Sequence, residues 1–187
     1  MSRSFSDYTN VFFWSFKRMD NVNYNFTIIE ALFEAKKING TPSHFNKPII
    51  ILMVSIIECI LYDFIQRIYQ HVHETIPNLE VEAVSDTRSK KLDQLEVLIA
   101  HARKNNLLRS VNEDIYNVLD YLRKVRNRIH IHNAQQQLDD DEYKIFTGIN
   151  LEMACQMLIK VCEVLCHVYP RPNREFVSMV DFPKPWI

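Results

Sequence analysis

A chain of 187 residues can bury a proper core within one domain, and 47% apolar with 24% charged residues excludes an intrinsically disordered composition. The net charge of −1 excludes broad electrostatic attraction to nucleic acid or anionic lipid, so any phosphate chemistry must come from a local basic patch. Only two glycines, Gly40 and Gly148, punctuate the chain, a scarcity that favours helices over tight turns.

Residues 1–23 read as an N-terminal arm. Its aromatic stretch "YTNVFFWSFKRM" lacks the basic region and sustained apolar core of a targeting segment. The first predicted helix covers Tyr24 to Ile38 and stops at the breaker cluster "NGTP". The second starts near Pro48, suited to a first turn, and runs to about Val72. Its run "IIILMVSII" is interrupted by Ser55 and closed by Glu58 and Asp63, short of the roughly 20 apolar residues a membrane span needs. We expect a buried central helix, no membrane association and a cytoplasmic location.

A loop with Pro77 and an acidic run is predicted from Glu74 to Asp86. The third helix, "KKLDQLEVLIAHARKNN", sets Leu92, Leu95, Ile99 and Ala102 on one stripe. The fourth begins near Val111 and continues through "LRKVRNRIHIHN", Leu122 to Asn133. After a loop at Asp139–Asp141, the fifth is "NLEMACQMLIKVCEVLCHVY" with Asn150 as cap, stopped by Pro170 and Pro172. The proline-rich tail from residue 170 reads as an extended C-terminal arm. The fold class predicted is all-α: one domain, an antiparallel four- to five-helix bundle spanning about 24–169, with extended arms. Cys155, Cys162 and Cys166 fall at i, i+7 and i+11 without C-x-x-C spacing and, with Cys59, read as small buried hydrophobes. No metal and no cofactor are expected.

The basic stretch carries the chemistry. At about 100° per residue, Ile115, Val118, Leu119, Leu122, Val125 and Ile129 form one stripe. Arg126 falls inside it, whereas Arg123, Lys124 and Arg128 point elsewhere and suit a solvated face. A guanidinium on an apolar face is costly unless it is paired, or faces a cleft or a partner chain. His132 lies on the far edge of the stripe, about 9 Å along a regular helix, and His130 lies on the near edge. Helical geometry does not choose between them. Asn127 can donate and accept, and so could orient a neighbour or a substrate.

These residues resemble the HEPN superfamily of helical-bundle proteins, whose signature is an arginine, a polar residue and a later histidine near the end of a bundle helix. The signature leaves about four to six positions between arginine and histidine, and Arg126-Asn127 with His132 leaves five. Arg126 to His130 leaves three, and Arg123 to His130 leaves six but is followed by Lys124. The segments "VSIIECILYDFI" and "LDQLEVLIAHARKNNLL" with "IYNVLDYLRKVRNRIHIHN" also look like the family's central helix and helix pair.

The resemblance implies a homodimer whose motif helices face one another across a composite site, and metal-independent cleavage of RNA, as in toxins and antiviral effectors. His132 would move protons, Arg126 would hold the phosphoryl oxygens and Asn127 would orient them. Arg123, Lys124 and Arg128 would bind flanking phosphates, and Glu58 is either a pairing partner of Arg126 or a helix-border residue in solvent. A non-catalytic dimerisation, nucleotide- or RNA-binding module is the rival reading. Regulation by an antitoxin or another partner is a further expectation. One branch of the family carries a modifiable tyrosine two positions after its histidine, and Ala134 stands there in this chain.

Overall fold

In the computed structural model, residues 12–70, 76, 78–110, 114–129 and 141–170 are described. Among them there are seven α-helices and no strand, so the fold is an all-α bundle. Five helices have ten or more residues: α1 (Phe16–Ile38), α2 (Asn46–Gln70), α4 (Leu95–Lys104), α5 (Asp114–Asn127) and α7 (Gly148–Val168). The short α3 (Val81–Arg88) and α6 (Glu142–Ile145) lie between them.

α2 is the axis. Its 25 residues extend about 37 Å at 1.5 Å per residue, and α1, α3, α4, α5 and α7 all pack on it. That enclosure explains why it is apolar nearly all round, from Ile49 and Ile50 through Ile57 and Ile60 to Ile65 and Ile68, each no more than 2% exposed. By length and composition alone this helix could cross a membrane, but 61% of its most apolar window is buried inside the fold.

Several boundaries differ from the sequence-based expectation, each for a local reason. α1 starts at Phe16 rather than Tyr24, because the Ser15 hydroxyl caps it by accepting the Arg18 N–H. The apolar residues ahead of the cap, Phe12 and Phe13, are core residues rather than part of an extended arm. α3 occupies the predicted loop, buries Ala83 and Thr87, and sits on α2. Thr147, not Asn150, caps α7. Its hydroxyl accepts the Asn150 N–H, while the Asn150 amide is buried and donates to the Tyr121 hydroxyl and the Ile145 carbonyl. The tail from 171 and the first eleven residues lie outside the described residues.

The α4–α5 hairpin turns through Asn106 and Arg109, both at positive φ (42° and 50°). Asn106 tolerates this conformation because its short amide bonds locally: its Oδ1 accepts from Ser110 N and from the Tyr116 hydroxyl, which in turn accepts Leu108 N. The turn brings the first turn of α4 beside the last turns of α5.

Behind this hairpin, His101 is 3% exposed, with Nε2 2.8 Å from the Thr87 hydroxyl and Nδ1 3.4 Å from Asp86. Burial pushes the imidazole below its ordinary 6.5, with Asp86 pulling the other way. The folded state therefore favours the neutral ring, and its contribution is complete above the unfolded pKa and lost as pH falls below about 6.5. Thermal melts should accordingly show stability decreasing from pH 7 to pH 5, with a shallower slope for His101→Gln. Equal slopes would refute this role.

Candidate functional site

Arg126 occupies the last turn of α5, on the face where Leu122 and Val125 are fully buried. Its Nη2 donates to Glu58 Oε2 at 2.7 Å, across the contact between α5 and α2. The pairing of Arg126 with Glu58, one of the two alternatives weighed for this acid, is thus the one the structure contains. The two side chains are 23% and 29% exposed, so solvent screens the bridge and its net worth is about 1 kcal/mol or less. Arg126 Nε is buried and has no hydrogen-bond partner among the described residues. An unmade bond to a buried donor costs about 1–3 kcal/mol, so the guanidinium is held in place but not fully satisfied.

The fork is therefore split. One nitrogen, Nη2, is fixed by a carboxylate, and the guanidinium belongs to the last turn of the helix, just before the turn that follows. That turn forms because Arg128 N and Ile129 N donate to the carbonyls of Val125 and Arg126, tightening the helix end. α5 consequently ends at Asn127, earlier than the expected continuation to Asn133. His130 and His132 both lie outside the described residues.

The other expected members are placed differently from one another. Asn127 is exposed at the helix terminus. Arg123 is only 12% exposed and is engaged by two carboxylates, Asp120 at 2.9 Å and Glu96 of α4 at 3.2 Å. It ties α4 to α5. Burial works against the Asp120 charge, yet Arg123 and Lys124 hold its carboxyl below the ordinary range. The Lys124 ammonium lies 3.6 Å from Asp120 and is one-third exposed. Arg128 is half-buried in the turn beyond α5. The structure thus brings Arg126 and Glu58 together, and gives Arg123 a structural role beside them.

Sequence reading missed a second charged clamp on the same central helix. Asp63 is 1% exposed; its carboxylate accepts the backbone N–H groups of Trp14 and Ser15 and a 2.8 Å bond from Arg18 Nη1. The signal was present: an acid within an apolar helix needs a partner as much as Arg126 does.

Thiol chemistry has little basis here. Burial pushes the thiols of Cys155 and Cys166 up to about 12 and that of Cys59 up to about 11. Cys162, fully enclosed, is raised as well. Among the described residues no group of three or more His, Cys, Asp or Glu side chains is arranged to hold a metal ion. Comparison with family models, with curated proteins and with solved structures finds no match for this chain.

Proposed function

We propose that the protein is a metal-independent endoribonuclease of HEPN type, acting as a homodimer in the cytoplasm as a toxin or defence effector. The observation that carries this reading is Arg126: a guanidinium on the apolar face of α5, steered by Glu58 and still 23% exposed. Its fork is complementary to the non-bridging oxygens of a phosphodiester, and it stays protonated throughout.

The chemistry assigned is intramolecular transesterification. An imidazole of His132 takes the proton of the ribose 2′-hydroxyl, and the 2′-oxygen attacks phosphorus. The P–O5′ bond breaks, and the departing 5′-oxygen receives a proton from the second protomer's imidazole. A 2′,3′-cyclic phosphate remains on one fragment and a 5′-hydroxyl on the other. Arg126 stabilises the charge gathered on the phosphoryl oxygens, Asn127 orients the group, and Lys124 and Arg128 bind neighbouring phosphates.

Purified protein incubated with single-stranded and structured RNA in EDTA should yield fragments with cyclic phosphate ends. Those fragments should vanish for both Arg126→Ala and His132→Ala. The Arg126–Glu58 bridge itself favours one rival, in which the pair is structural and the domain is a non-catalytic dimerisation or RNA-binding module. Intact RNA alongside a stable dimer would select that rival.

A further inference from the structure

A cleft of about 460 Å³ lies between the C-terminal half of α2 and the segment joining α3 to α4. Its size falls in the range of small-molecule and nucleotide sites, roughly 300–1,000 Å³. Tyr62, Gln66 and Tyr69 form the α2 wall; Arg88, Lys90 and Lys91 supply cations from the opposite side. Asp93 is the one carboxylate in the lining and Leu92 the one aliphatic side chain. The lining therefore suits an anion that also carries a flat ring.

The position of the cleft relative to Arg126 follows from two independent elements. On α2, Glu58, Tyr62, Gln66 and Tyr69 recur at i, i+4, i+8 and i+11, one stripe about 80° wide. The cleft thus begins a single turn, about 6 Å, beyond the carboxylate that holds Arg126. On the other wall, Asp93 stands three residues before Glu96, which binds Arg123, itself one turn before Arg126. The cleft and the candidate site are neighbours on one surface strip.

The cations are not equally free. Lys90 is bound to Asp86, whose carboxyl is held far below the ordinary range by hydrogen bonds from Lys104, Lys90 and Asn105. Arg88 Nε donates to the Ile68 carbonyl. Lys91 is 88% exposed, and its 2.9 Å bridge to Asp93 is screened by solvent, so it can swing to an incoming phosphate at little cost.

We infer that this cleft binds a nucleotide unit, the base against Tyr69 and the phosphate against Lys91, Lys90 and Arg88. Aromatic surface for bases beside cations for the backbone is the combination by which single strands are held without sequence choice. Resting on the nuclease reading, the occupant is a nucleotide of the same RNA strand that passes Arg126. The same chemistry admits a free mononucleotide, and the two sources separate by experiment.

The test is fluorescence anisotropy in EDTA with a short labelled single-stranded oligoribonucleotide, using full-length protein carrying Arg126→Ala so that the strand stays intact. Adding Lys91→Glu is expected to weaken binding about tenfold and to lower the slope of log affinity against log salt by about one. Tyr69→Leu should weaken binding without changing that slope. If AMP or UMP binds and Lys91→Glu abolishes it while the oligonucleotide does not bind, the cleft stands as a mononucleotide site. If neither probe binds, or both variants bind as tightly as their parent, the inference is overturned. RNA held through Lys91 but never cut by wild type would remove the nuclease reading and leave the cleft. RNA cut with the same KM by wild type and Lys91→Glu would do the reverse.

Discussion

Arg126→Lys is expected to slow RNA cleavage by about 10²–10³-fold while lowering the melting temperature by no more than about 2–4 °C. The rate effect follows from replacing a planar fork, which can hold a carboxylate on one edge and phosphoryl oxygens with the rest, by a single ammonium that cannot do both. The small thermal effect follows from the bridge being about one-quarter exposed on each side. Such a pair contributes about 1 kcal/mol at most, and lysine retains an ion pair with Glu58. Single-turnover cleavage and a thermal melt on the same preparation separate the two. Wild-type cleavage in the lysine variant would remove Arg126 from the chemistry. Glu58→Gln should fall between, because an amide oxygen still accepts from the guanidinium but no longer fixes its charge.

Asp63→Ala is expected to destabilise the protein by about 3 kcal/mol, with a melting temperature lower by roughly 6–12 °C. The carboxylate is the common acceptor for two backbone N–H groups and the Arg18 guanidinium, so its loss leaves several donors unmet at once. Arg18 is 28% exposed and also lies 5.0 Å from the Tyr62 ring centroid, which limits the cost on its side. Asp63→Asn should lose less, since its amide keeps one acceptor. Urea unfolding midpoints measure both, and an alanine variant within about 0.5 kcal/mol of wild type would show that the clamp is not what joins α1 to α2.

The long helices were legible because each buries a face or a whole surface, which imposes a period on the sequence. α2 was the plainest, since a helix enclosed by five others must be apolar nearly everywhere. α3 was not legible: eight residues bury two side chains, too few to set a period against Pro77 and the surrounding acids. Arg126 stood out because it broke an apolar stripe. Glu58 was legible as its possible partner but not separable from a helix-border residue in solvent, because the pairing depends on how residues 68 positions apart in sequence are packed. Arg123 and Lys124 looked alike as surface cations, and only the α4–α5 contact distinguishes the one fixed between two carboxylates. The cleft was invisible for the same reason, its walls coming from α2 and from a segment about twenty residues later.

Arg67, fully buried on α2, donates to the carbonyls of Tyr169 and Pro170, just beyond the end of α7. A cation thus meets the negative pole of a helix from another part of the bundle. In kinetic terms the bond spans 102 residues, whereas the Tyr116 bonds that shape the α4–α5 turn span eight and ten. Closing the larger loop costs more chain entropy, so the hairpin is expected to form early and the seating of α7 on Arg67 late. Weakening that late contact should chiefly accelerate unfolding and leave the folding rate nearly unchanged.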